Sequence, residues 1–121
     1  AWLSNHPKVA SVNYPGLPSD KNHALQKKYS PQGAGAVFTF GLKGGYDAGV
    51  KFVEALELFS HLANVGDTKS LVIHPASTTH RQLSDEQKVK AGAGPDTVRL
   101  SIGIEDVNDI VADLEQALEK V

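Results

Sequence analysis

The chain of 121 residues contains no cysteine and no methionine. Without thiols it has no disulfides, no thiolate nucleophile and no cysteine-bound zinc. Such a composition fits a reducing compartment, with the cytoplasm as the expected one. A strong charge of either sign is missing too. Twelve basic side chains against fourteen acidic ones leave a formal charge of −2, with no dense basic run to grip nucleic acid or an anionic membrane surface. No apolar run approaches the length of a membrane span, and no signal-peptide pattern is present. The length predicts one domain, residues 1–121, with a core of its own. A chain that opens Ala1-Trp2-Leu3 reads as a piece of a longer polypeptide.

Several reaction signatures are absent as well. Gly33-Ala34-Gly35 and Gly41-Leu42-Lys43-Gly44-Gly45 fit neither G-x-G-x-x-G nor the phosphate loop that ends in Lys-Ser/Thr, so these are read as turn glycines. Five histidines raise the question of metal, but no H-E-x-x-H exists, and His74 and His80 share their loop with no carboxylate at useful spacing. They are read as hydrogen-bonding loop residues, with no metal site. No G-x-S-x-G elbow supports a serine hydrolase. The neighbouring acids Glu105 and Asp106 suit a helix N-terminus better than acid–base catalysis.

What is present is organised around Asp96–Asp106. Val98, Leu100 and Ile102 alternate with Thr97, Arg99, Ser101 and Gly103, which predicts a strand with one apolar face and one polar face carrying a guanidinium. A helix follows over about 106–120. Asp106 is its N-cap, and Val107, Ile110, Val111, Leu114, Ala117, Leu118 and Val121 form one stripe to cover the apolar face of the strand. Burial of such a stripe is worth roughly 1.5–3 kcal/mol per large side chain before entropy.

Upstream, residues 1–7 read as the tail of a helix stopped by His6-Pro7, and 9–14 as a strand. A polar surface helix capped by Ser19 or Asp20 runs to Tyr29, and a strand follows over 36–40 with Phe38 and Phe40 on one face. The spacing of Phe52, Val53, Leu56 and Phe59 predicts a helix over about 46–61. Residues 62–65 and 70–74 read as two strands joined by the turn Gly66-Asp67-Thr68-Lys69. Ser84-Asp85-Glu86-Gln87 is a capping box for a short helix that ends near Gly92. Alternating strands and helices predict a two-layer α/β domain: one sheet, with helices mainly on one face and the other left for a ligand or a second domain. From residue types alone, Arg99 is either an anion-binding group or half of a structural ion pair. The hydroxyls and imidazoles of 74–80 either line a site or satisfy their own loop.

Two runs carry a resemblance. Ser70-Leu71-Val72-Ile73-His74-Pro75-Ala76-Ser77-Thr78-Thr79-His80, followed by Val98-Arg99-Leu100-Ser101-Ile102-Gly103-Ile104-Glu105-Asp106, resembles the C-terminal domain of the pyridoxal-phosphate-dependent enzymes of Cys/Met metabolism. Asn13-Tyr14-Pro15-Gly16-Leu17, Phe38-Thr39-Phe40-Gly41 through Gly45-Tyr46, and Phe59-Ser60-His61-Leu62-Ala63-Asn64-Val65-Gly66-Asp67 are similar to the O-acetylhomoserine sulfhydrylases. The His-Pro-Ala loop and the arginine strand are shared with cystathionine synthases and lyases and with methionine γ-lyase.

The resemblance implies the small domain of a fold-type I enzyme, with a mixed or antiparallel sheet. It implies that a large upstream domain holds pyridoxal 5'-phosphate through a lysine, and that the parent is a homotetramer. It also implies γ-replacement: proton abstraction at Cα and then Cβ, loss of acetate from O-acetylhomoserine, and addition of sulfide or methanethiol to give homocysteine or methionine. By motif match Arg99 binds the substrate α-carboxylate, Asn64 and Val65 line its pocket, and Thr79 lies near the arginine. No lysine of this chain stands in the Ser-x-x-Lys-type context the cofactor needs, so no catalytic or cofactor-binding residue is expected here and the chain alone should be inactive. The alternative is a non-catalytic α/β binding domain in which Arg99 is structural.

Overall fold

A computed structural model describes the whole chain, Ala1–Val121. Its sheet has five strands, β1 (Val9–Asn13), β2 (Val37–Leu42), β3 (Ser60–His61), β4 (Leu71–Ile73) and β5 (Thr97–Ser101), in the order β1-β2-β5-β4-β3. The helices are α1 (His23–Tyr29), α2 (Gly45–Ala55), α3 (Asp85–Lys90) and α4 (Val107–Glu119). Pairing is antiparallel except between β3 and β4, so the sheet is mixed, as the resemblance implied.

Register explains the layers. Phe38 stands opposite Leu100, Phe40 opposite Val98 and Val72 opposite Leu100, which collects the apolar positions of three strands on one face. Phe52 and Val53 from α2, with Ile110, Leu114, Ala117 and Leu118 from α4, complete that core. Phe40 meets Phe52 edge-on with centroids 5.5 Å apart. The opposite face carries Thr39, Thr97, Arg99 and Ser101. α1 buries no residue, in keeping with its polar sequence.

Several expected boundaries move, each for a local reason. The N-terminal segment is a single 3-10 turn, Leu3–Asn5, before Pro7. α1 starts at His23 because the Asp20 carboxylate closes a turn on the Asn22 N–H at 2.8 Å ahead of the helix. β2 runs on to Leu42, and Gly44 and Gly45 then turn the chain into α2 with φ of 107° and 68°, values L side chains avoid. α2 ends at Ala55, six residues short of His61. Leu56 turns extended, and the Asp113 carboxylate of α4 accepts the N–H groups of Glu57 and Leu58, both at 2.9 Å. The expected strand over 62–65 is irregular chain. The strand in this region is Ser60–His61, and it pairs parallel with β4, so the turn at Gly66 does not join a hairpin. In α4 the buried stripe begins at Ile110, and Val107 is 66% exposed.

The expected caps are present. Asp106 accepts the Asn108 N–H at 2.8 Å, and Ser84 and Gln87 form the capping box at α3.

Candidate functional site

Arg99 lies at the middle of β5, between Thr39 of β2 and Ile73 of β4, on the face opposite α2 and α4. It is half-buried. No carboxylate of this chain holds it: the close basic–acidic contacts are Lys88–Asp85 at 3.3 Å and His6 Nε2–Glu115 at 3.7 Å. Among the residues of this chain Arg99 therefore makes no ion pair. Its Nη2 donates to the backbone carbonyl of Asn64 at a long 3.4 Å. A guanidinium has five donors, so most of the fork remains for a planar anion.

Asn64 is thus brought to Arg99 by its backbone. Its side chain turns to the next residue, with Oδ1 accepting the Val65 N–H at 2.9 Å. Val65, the next residue, is 55% exposed. Thr79 is exposed, and its hydroxyl pairs with His80 Nδ1 at 2.8 Å; none of its hydrogen bonds reaches Arg99.

The loop after β4 is held by its own hydroxyls and by the segment that leads into β5. His74 is buried, its Nε2 donates to the Pro95 carbonyl at 2.7 Å, and its Nδ1 pairs with Ser77 Oγ at 2.9 Å. The carbonyl can only accept, which assigns the proton to Nε2. Tyr46 packs edge-on against the ring, and a Cβ on Gly49 would run into its Nε2 and Cδ2.

Sequence reasoning missed the bonds that hold the 62–69 loop. Ser70 and Ser101 are buried. The Gly66 N–H donates to Ser101 Oγ at 3.3 Å, and the Ile104 N–H to the Thr68 carbonyl at 2.9 Å. The sequence places Glu105 with Asp106 at the helix N-terminus, but only Asp106 caps the helix. The Glu105 carboxylate instead accepts the Ser70 N–H at 2.7 Å and the Ser70 hydroxyl at 2.8 Å, while Ser70 Oγ accepts the Gly103 N–H at 2.9 Å. The partners lie 33 to 35 residues apart, so no local pattern marks them.

These bonds act on the Glu105 proton. The Ser70 N–H, donating to the carboxylate, is the main reason its pKa lies below the ordinary value of 4.5. A carboxyl depressed in the folded state stabilises the fold above its unfolded pKa, and that stability is lost as pH falls through the folded pKa. Melting temperature should therefore drop in acid below the ordinary carboxylate range, and Glu105→Gln should flatten that limb. Superimposable acid limbs for the two proteins would refute the assignment.

The chain's own lysines do not fit covalent attachment of a cofactor. None is buried. Lys8 Nζ is engaged by the Leu118 carbonyl at 2.7 Å, Lys43 Nζ by that of Pro7 at 2.7 Å, and Lys88 Nζ by Asp85. The other lysines stand on the surface.

A five-stranded mixed sheet packed on one face by α2 and α4, with a guanidinium that makes no ion pair on the other, defines a small α/β domain. The chain belongs to the Cys/Met metabolism PLP-dependent enzymes, whose family model matches residues 1–119. It is 57% identical over 117 residues to O-acetyl-L-homoserine sulfhydrylase 1 of Thermus thermophilus, covering 97% of this chain and 28% of that protein. It is 56% identical to a homocysteine synthase of Schizosaccharomyces pombe, covering 98% of this chain and again 28% of the relative. A crystal structure from Campylobacter jejuni, assigned as an O-acetylhomoserine (thiol)-lyase, superposes with a TM-score of 0.90 at 47% identity, over 98% of this chain and 28% of that one. That protein holds a pyridoxyl phosphate joined to a lysine. The chain thus spans little more than a quarter of the length of these relatives.

Proposed function

We propose that this chain is the C-terminal small domain of an O-acetylhomoserine sulfhydrylase, and that it binds the substrate α-carboxylate and closes over a site built mainly by a larger upstream domain. The observation that carries this reading is Arg99: a half-buried guanidinium on the sheet face opposite α2 and α4, without an acidic partner in this chain, bonded to the backbone of exposed Asn64. The relatives named as sulfhydrylases and homocysteine synthase supply the reaction. In it the γ-acetoxy group of O-acetylhomoserine leaves as acetate, and sulfide or methanethiol takes its place to give homocysteine or methionine.

Pyridoxal phosphate, held by the large domain, supplies the electron sink for this chemistry. The work of the present residues is orientation. A fork bonded to both carboxylate oxygens fixes the plane of the amino acid, and so fixes which Cα bond faces the reacting group. In this reading Val65 offers an apolar wall beside the fork, and Thr79 is carried over by motif match alone, from the loop that follows β4. In this reading the parent is a cytoplasmic homotetramer, as in the family the sequence resembles.

By itself the domain carries no cofactor and does not turn over. Pyridoxal phosphate added to it should give no absorption band of a lysine-bound cofactor; appearance of that band would sink the proposed division of labour. The carboxylate role is tested by Arg99→Lys in the complete enzyme, where unchanged kinetics would remove Arg99 from the site.

A further inference from the structure

The carboxylate site is made of two pieces that have no covalent reason to stay together: Arg99 on β5, and the exposed stretch Asn64-Val65-Gly66 in an irregular loop. One long hydrogen bond, Arg99 Nη2 to Asn64 O at 3.4 Å, joins them directly. One bond of that length does not by itself place a loop that has no ladder partners of its own. The loop is fixed from behind. Ser101 stands two residues beyond Arg99 on the same face of the same strand, is only 2% exposed, and accepts the Gly66 N–H at 3.3 Å. Behind it Thr68 O accepts the Ile104 N–H, and Ser70 is tied to both Glu105 and Gly103. There is no slack in this clasp, since a Cβ on Gly103 would collide with the Thr68 carbonyl and with Glu105 Oε2.

We infer that Ser101 is a positioning residue for substrate binding: its hydroxyl holds Gly66, and with the Ser70–Glu105 clasp behind it sets the Asn64–Val65 backbone at the distance from Arg99 that an α-carboxylate requires. Ser101 touches neither substrate nor cofactor. This rests on the carboxylate role of Arg99, and it adds that the affinity of the site is determined by a hydroxyl outside it. The depressed pKa of Glu105 agrees with a clasp kept ionised at neutral pH.

The test is a double-mutant cycle in the complete, cofactor-loaded enzyme with O-acetylhomoserine as the varied substrate. Ser101→Ala should raise KM roughly five- to tenfold, the effect of one lost hydrogen bond, with kcat changed less than twofold. A residue acting through the Arg99 site should have little left to lose once the fork is gone. The Arg99→Lys, Ser101→Ala double variant should therefore behave like Arg99→Lys alone, whereas an independent structural residue would give multiplied effects. Ser70→Ala, one link further back, should shift KM in the same direction, and it carries the test if Ser101→Ala gives little folded enzyme. An unchanged KM in the serine variants, or strictly multiplicative effects, while Arg99→Lys is impaired, would overturn the inference and leave the carboxylate reading standing. Unchanged kinetics in Arg99→Lys would overturn both.

Discussion

In the complete enzyme, Arg99→Lys should lower kcat/KM for O-acetylhomoserine roughly ten- to a hundredfold. The substitution keeps the charge and loses the fork. A guanidinium can give two parallel charged hydrogen bonds to a carboxylate, and an ammonium gives one from a more mobile stem. A hydrogen bond to a charged group is worth roughly 1.5–3 kcal/mol, about one to two decades in the rate constant. The same substitution should scarcely touch stability. Within this domain Arg99 makes a single side-chain bond, the one to Asn64 O at 3.4 Å, and no ion pair, so its loss should move the unfolding free energy by less than about 0.5 kcal/mol. Steady-state kinetics beside a denaturant titration separates the two. A variant that unfolds readily while its kcat/KM is unchanged would mean that Arg99 serves the fold and not the substrate.

The elements that could be read from the sequence are those whose information is local. Period-two alternation placed Val98 and Leu100 in the core, and both are fully buried. Helical spacing found Ile110, Leu114, Ala117 and Leu118, and cap chemistry found Asp106 and the Ser84–Gln87 box. Arg99 stood out because a charged side chain on the polar face of a strand is a small pattern in itself. Asn64 and Val65 came from the family resemblance, and the fold brings the Asn64 backbone to Arg99.

The remainder was illegible because it depends on groups far apart in the chain. The parallel pairing of β3 with β4 involves only Ser60–Leu71 and His61–Val72, too few residues to show a strand pattern. Ser70, Ser101 and Glu105 are ordinary residues at their own positions. They matter because each meets a backbone N–H or a side chain 33 to 35 residues away. The misjudged end of α2 has the same origin. Phe52, Val53, Leu56 and Phe59 keep helical spacing through a stretch in which α4 has already taken over the N–H groups.

That takeover makes Asp113 a residue whose loss should cost much stability. It is 7% exposed on α4, and its two oxygens accept Glu57 N and Leu58 N at 2.9 Å, with Phe59 N at 3.4 Å and Gln116 Nε2 at 3.0 Å. On a helix surface the aspartate would be a neutral choice; here it is the acceptor for the point where α2 stops and the chain turns extended. Asp113→Ala leaves at least two part-buried N–H groups without a partner, each costing about 1–3 kcal/mol, so a total loss of about 2–6 kcal/mol is expected. Against a domain stability of roughly 5–15 kcal/mol, that is enough to populate unfolded chain. Asp113→Asn keeps one acceptor oxygen and should fall between the two. Denaturant midpoints at constant m-value would measure this, and a shift below about 0.5 kcal/mol for Asp113→Ala would contradict the role. The contrast with Ser101 is physical. Asp113 secures where the strand-and-loop segment begins, so its removal is felt by the whole fold. Ser101 secures where that segment passes Arg99, so its removal is felt in KM.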